Sequence, residues 1–204
     1  MSLTEVSPDE IRRGVLTNYH AVIFAGGSGS GQAEALGKEG RTALQRFVAG
    51  GGGYLGICAG AYLAASGFAW SLHLVDAKTV SPKWRRGRGR VQIELTERGR
   101  AILGAKEGRF EVKYENGPIV EPAGLDALPD FEPLACFRTE LAENNTPVGV
   151  MVNSPAILAA RYHQGRVVCV SPHPEQTPGL EDMIPRAVAW VTASGPSAGQ
   201  TEKR

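Results

Sequence analysis

Gly56-Ile57-Cys58-Ala59-Gly60 sets a cysteine between glycines placed two residues to either side. That is the spacing of a nucleophile elbow, where a strand turns sharply into a helix and holds the attacking group at the apex. The glycines are needed because the turn strains the nucleophile's own backbone, and because small neighbours let backbone and substrate close on the sulfur. A helix starting beneath Cys58 also favours the thiolate, the form that attacks. A second segment, Ser171-Pro172-His173-Pro174-Glu175, supplies the groups such a thiol requires. Its prolines are expected to hold the chain extended, so that residues two apart project to one side and Glu175 stands beside the His173 ring. A carboxylate on one ring nitrogen fixes the tautomer and leaves the other nitrogen to take the Cys58 proton. Taken singly, Cys58 reads as a buried structural thiol and His173 as a packing or capping residue. Taken together they favour a base-assisted cysteine nucleophile. Cys136 and Cys169 lie inside apolar runs and read as structural.

The Gly-rich stretch Gly26-Gly27-Ser28-Gly29-Ser30-Gly31 follows another apolar run. It does not make a dinucleotide fingerprint: from Gly27 the sixth residue is Gln32, and from Gly29 it is Glu34. Nor is Gly37-Lys38-Glu39 the end of a Walker motif. A tight turn is one reading, and a loop whose N–H groups face an oxyanion is another. Gly26 and Gly27, with Ala59, are the candidates for that oxyanion hole. Trp84-Arg85-Arg86-Gly87-Arg88-Gly89-Arg90 is the one dense basic run. A solvated loop is the favoured reading; a clamp for a substrate carboxylate or phosphate, with Trp84 as a stacking surface, is the other.

The elements that must position these residues follow from periodicity. Ser7-Pro8-Asp9-Glu10 is a helix start with a capping box, and predicts a short helix to about Leu16. Residues 20–24 and 54–57 are compact apolar runs that suit buried strands. Leu36, Leu44, Phe47 and Val48 recur at helical spacing until four glycines stop them, and residues 59–65 form a helix directly after Cys58. Further strands are expected at 91–95, 110–114, 133–137, 148–152, 156–162 and 167–170. A last helix should bury Met183, Ile184, Ala187, Val188 and Val191, with Pro185 in its first turn or kinking it. Early continuous runs and later alternating ones predict a parallel core with antiparallel additions.

At 204 residues, 42% hydrophobic and 21% charged, the chain can bury one sizeable core. A single domain is expected over 1–193, followed by a flexible tail over 194–204. The net charge of +1 disfavours a nucleic-acid partner. Three dispersed cysteines make neither a disulfide framework nor a zinc site. No stretch approaches the roughly 20 apolar residues of a membrane span, and the N-terminus lacks a basic-then-apolar signal pattern. A cytoplasmic protein without membrane contact is the expectation, though a removed signal would leave no trace in the sequence.

Gly-Ile-Cys-Ala-Gly at 56–60 and His-Pro-Glu at 173–175, behind a strand ending in Gly-Gly, resemble the class I glutamine amidotransferase superfamily. Residues 53–62, with Tyr114-Glu115-Asn116-Gly117-Pro118, are similar to its biotin-protein ligase N-terminal domain branch. The resemblance implies a flavodoxin-like three-layer α/β sandwich with a mainly parallel central sheet plus antiparallel additions. It makes Cys58 the nucleophile, His173 the base and Glu175 its orienter, with Gly26, Gly27 and Ala59 as oxyanion donors. The reaction implied is attack on a small-molecule or peptide carboxamide through a thioester, with no metal or organic cofactor. Tyr62, Tyr114, Asn116 and Gly117 would line the substrate pocket. Two departures stand out. Glutaminases of the superfamily usually carry a glutamine where this chain has Tyr62, which puts free glutamine in doubt as substrate. The usual first strand and helix do not precede the elements found here: the strand is absent, replaced or supplied by a partner, or the natural chain begins earlier, and a homodimer is one way to cover an exposed sheet edge. A catalytically silent binding or regulatory domain on the same fold is the alternative. Biotin ligation itself is not implied.

Overall fold

In the computed structural model, residues 2–104 and 107–193 are described, so the expected tail over 194–204 lies outside the described residues. In chain order they form α1 (Pro8–Arg12), β1 (Ala21–Phe24), α2 (Gly29–Ala49), β2 (Gly53–Ile57), α3 (Ala59–Ala64), β3 (Ala77–Thr79), β4 (Arg88–Leu95), α4 (Glu97–Leu103), β5 (Arg109–Glu115), β6 (Val120–Pro122), β7 (Glu132–Phe137), β8 (Pro155–Tyr162), β9 (Gly165–Val170) and α5 (Met183–Thr192). Short 3-10 turns occupy Val15–Asn18 and Pro174–Gln176.

Seven strands make one sheet in the order β1-β2-β9-β8-β7-β4-β5. The first three run parallel, and every later pairing is antiparallel. The parallel core with antiparallel additions is therefore present, the additions being the more numerous pairings. Alternation along each central strand serves two cores. Leu55, Ile57, Val168 and Val170 pack on one face with Met183, Ala187, Val188 and Val191 of α5. Tyr54, Val167 and Cys169 pack on the other with Leu36, Leu44 and Val48 of α2 and Leu63 of α3. Fully burying each such aliphatic side chain contributes about 1.5–3 kcal/mol. The result is a three-layer sandwich, as the family resemblance implies. β3 and β6 form a separate antiparallel pair that, like α4, the sequence patterns did not suggest.

Local chemistry explains where the elements begin and end. Ser7 Oγ accepts from Glu10 N at 3.3 Å and Glu10 Oε2 accepts from Ser7 N at 2.7 Å, the expected capping box. The helix stops at Arg12, short of Leu16, because Gly14 turns left-handed at φ 89° and the chain re-enters a 3-10 turn. α2 begins earlier than its apolar stripe suggested, capped by Ser28, and breaks at Gly37 (φ 63°, ψ −177°). Pro185 lies in the first turn of α5, where its missing N–H costs nothing.

The strand expected at 148–152 is not formed. Gly149 adopts φ 82° and Val148 is 78% exposed. Glu140 accounts for the bend: its carboxylate accepts from Gly149 N at 2.7 Å and Met151 N at 3.1 Å, wrapping the segment around one side chain.

Candidate active site

Parallel neighbours deliver their C-terminal ends to one place, and β1, β2 and β9 are parallel neighbours. Gly26 follows β1, Cys58 follows β2 and His173 follows β9. A methyl group added at Gly26 would lie 3.1 Å from His173 Cε1 and 3.8 Å from Cys58 Cβ, so the three segments do meet.

Cys58 sits at the turn between β2 and α3 with φ 50° and ψ −99°, left-handed backbone that a side-chain-bearing residue rarely adopts. The elbow glycines are demanded by space. A Cβ at Gly56 would fall 2.4 Å from the Gly60 carbonyl, and one at Gly60 would fall 2.2 Å from the Phe24 carbonyl. Tyr54 Oη donates to that Gly60 carbonyl at 2.8 Å, fixing the first turn of α3. Among the described residues no acceptor takes the N–H of Gly27 or Ala59. Gly27 has φ 135°, which suits glycine alone.

His173 is buried, and Glu175 Oε1 lies 2.7 Å from its Nδ1. The prolines do not achieve this through an extended chain. Pro174 opens a 3-10 turn, which brings Glu175 back under the ring. Two further residues, invisible to motif reading, hold the histidine. Its N–H donates to Lys113 O at 2.8 Å, and its carbonyl accepts from Thr177 Oγ1 at 2.7 Å. Thr177 Oγ1 in turn accepts from Lys113 N at 3.0 Å. β5, at the far edge of the sheet, thus curls round to the end of β9. Burial opposes charge on the ring, but hydrogen bonding and Coulomb attraction from Cys58 and Glu175 outweigh it and lift His173 to about 9. The imidazolium is accordingly the dominant form at neutral pH.

The curl also brings the Tyr114–Gly117 segment to the thiol. Cys58 Sγ donates to Glu115 O at 3.4 Å, and Tyr62 Oη donates to Asn116 O at 3.1 Å. Tyr114 Oη donates to Gly117 O at 2.8 Å. Burial raises both phenols above their ordinary range, so they act here as neutral donors. Glu115 thus touches the thiol, and the hydroxyls of Tyr62 and Tyr114 bind the same Tyr114–Gly117 segment. The other thiols are elsewhere: burial pushes Cys169 up to about 12 and also raises Cys136. Among the described residues no cluster of His, Cys, Asp or Glu could hold a metal ion.

Arg86 departs from the solvated-loop reading of the basic run. Its guanidinium is buried, donating from Nε to Leu141 O at 3.1 Å and from Nη2 to Glu140 Oε1 and Pro147 O, each at 2.9 Å. Lys83, Trp84 and Arg85 are exposed on a loop, as the solvated reading has them, whereas Arg88 and Arg90, also exposed, belong to β4 and pair with β5. Gly87 binds Asn116 reciprocally, N to Oδ1 at 2.8 Å and O from N at 3.1 Å, which moors the basic loop to the site.

The family described as "Biotin-protein ligase, N terminal" matches residues 3–86. No curated protein matches the chain in sequence. Its shape is similar to PurLQS from Thermotoga maritima, with a TM-score of 0.57 and 13% identity over 83% of this chain and 78% of that one. A putative ThuA-like protein from Bacteroides uniformis gives 0.56 and 16% over 92% and 75%. The cytoplasmic protein STM3548 from Salmonella typhimurium gives 0.56 and 12% over 93% and 76%. The chain spans about a fifth of the length of the β-galactosidases it also overlaps. Among the described residues no helix is long and apolar enough to cross a membrane. In fold the chain is similar to PurLQS and to a ThuA-like protein, and in sequence its residues 3–86 match the biotin-protein ligase N-terminal family.

Proposed function

We propose that the protein is a cysteine-dependent amidohydrolase or amidotransferase-like enzyme acting on a small-molecule or peptide carboxamide. The observation that carries this reading is the left-handed Cys58 beside a buried His173 whose other ring nitrogen is held by Glu175. Strain of this kind, of order 1–3 kcal/mol, persists only where the surroundings impose it, and it gathers at reacting groups.

In the reacting state the Cys58 proton lies on His173, and the thiolate Sγ adds to the amide carbon while the N–H groups of Gly26, Gly27 and Ala59 receive the oxyanion. Because the histidine is protonated near neutrality, its first act is as an acid. It gives its proton to the departing amine as the C–N bond breaks and the thioester forms. The neutral ring then takes a proton from water, whose oxygen attacks the thioester and expels the thiolate. Glu175 holds the ring and steadies its charge throughout. Tyr62, committed to Asn116 O, stands where glutaminases of the superfamily carry glutamine, which favours an amide other than free glutamine. A silent binding domain is the second reading. What favours it is the thiol's hydrogen bond to Glu115 O, which directs its proton away from the ring.

Alkylation of Cys58 by iodoacetamide, followed by mass spectrometry across pH, decides between them. An imidazolium that survives to about pH 9 should keep the sulfur reactive at neutral pH. His173→Ala should therefore react about tenfold more slowly at pH 7, because the sulfur loses its imidazolium partner. Equal rates at pH 7 would leave the silent domain. Once a carboxamide substrate is in hand, Glu175→Gln should slow turnover less than His173→Ala, since the carboxylate orients a ring that itself transfers the proton. Equal losses would give Glu175 a different role.

A further inference from the structure

We propose that the carboxamide substrate carries a carboxylate, and that Arg86 Nη1 together with Asn116 Nδ2 forms its anchor at the edge of the Cys58 site. The inference rests on the reading of Cys58 as nucleophile.

Arg86 has five N–H donors in a fixed fork. Nε and Nη2 are engaged by Leu141, Glu140 and Pro147, yet Nη1 is buried with no partner among the described residues. Glu140 does not serve it: its carboxylate accepts from Arg86 Nη2, Met151 N and Gly149 N and makes no bond to Nη1. An unpaired buried cationic donor is costly, and a planar carboxylate is the acceptor whose shape fits it. Position points the same way. Gly87, the next residue, exchanges two hydrogen bonds with Asn116. Asn116 accepts from Tyr62 Oη, and its neighbour Glu115 accepts from Cys58 Sγ. Asn116 spends Oδ1 on Gly87, while its amide nitrogen donates to none of the described residues. The guanidinium is also near enough to Tyr62 and Tyr114 for its charge to act on both phenols, each of which feels Cys58 as well. Nη1 and Nδ2 together offer up to four N–H groups to one small anion. Two acidic side chains stand at this rim: Glu115, paired with Lys113 at 3.1 Å and lying across from Arg88, and Glu143, packed against Gly87.

The test uses two reagents that differ only in charge, N-chloroacetylglycine and N-chloroacetylglycinamide, with Cys58 modification in the full chain read by mass spectrometry. The wild type should prefer the acid by about tenfold, the scale of one charge-assisted hydrogen bond. Each variant is judged by the ratio of its two rates, which cancels general changes in thiol reactivity. Arg86→Gln should abolish the preference. Glu140→Gln, which strips the guanidinium of its counter-charge, should increase it. Opposite shifts are the signature of charge recognition, whereas a merely structural ion pair would shift both variants the same way. No preference in the wild type, a preference that survives Arg86→Gln and so belongs to His173, or like shifts in both variants would each overturn the anchor. If Arg86→Gln fails to fold, the wild-type ratio and its rise in Glu140→Gln still decide. A Cys58 that neither reagent modifies would overturn the nucleophile reading itself, whereas one modified equally by both overturns the anchor alone.

Discussion

Cys58→Ala is expected to abolish carboxamide turnover, by about 10⁴-fold or more, because the variant lacks the sulfur that forms the covalent intermediate. Its folding stability should fall by no more than about 1 kcal/mol, since what is lost is a small sulfur with its long hydrogen bond to Glu115 O and its interaction with His173. Cys58→Gly offers a sharper check. At ordinary positions glycine is the less stable of the two, by about 0.5–1 kcal/mol of backbone entropy. At φ 50° and ψ −99° alanine keeps the strain and glycine releases it. With about 1–3 kcal/mol of strain at stake, the glycine variant should unfold at the higher denaturant concentration. Retained turnover in Cys58→Ala would remove Cys58 from the chemistry. An alanine variant more stable than the glycine variant would remove the strain.

Gly117→Ala should be the most damaging substitution of a single methyl near the site. The added carbon would lie 2.0 Å from Ser171 O and 2.6 Å from Ser171 Oγ, so backbone must move on one side or the other. Overpacking of this kind costs about 3 kcal/mol. The movement would part the Tyr114–Gly117 segment from the chain leading into His173, and with it the carbonyl that the Cys58 thiol touches. Loss of both denaturant stability and Cys58 reactivity is therefore expected. Gly89→Ala is the control, because its methyl would meet only Leu141 Cδ1 at 3.5 Å, an ordinary contact. A Gly117→Ala protein as stable as Gly89→Ala would mean that the two segments do not press together as described.

What could be read from the sequence was local. The elbow glycines announce their turn because a side chain at either would strike backbone within five residues or in the adjoining strand, and spacing records that need. His173 and Glu175 are two residues apart, so their meeting was legible, although a 3-10 turn rather than an extended chain produces it. Thr177, Lys113 and the Arg86–Glu140 pair were not legible, for one reason. Their partners come from other strands, and which strand curls onto which is decided by the whole sheet. Residues 148–152 show the same limit: their apolar alternation suited a strand, but the Glu140 carboxylate captured the backbone donors instead.

The return of β5 to the end of β9 has a consequence for the order in which the protein folds. Lys113 and Thr177, which clamp His173 between them, stand 64 residues apart, and Cys58 and Glu115 stand 57 apart. Contacts that close such long loops must offset their entropy before they contribute stability, so they form late in assembly. The elbow and its helix, by contrast, are built from neighbours within β2 and α3. On this ordering the nascent chain carries an accessible but unassisted thiol, and the group that makes it reactive arrives only with the completed sheet. A partly folded molecule would be a poor nucleophile, which limits self-inflicted acylation and crosslinking before the native state is reached.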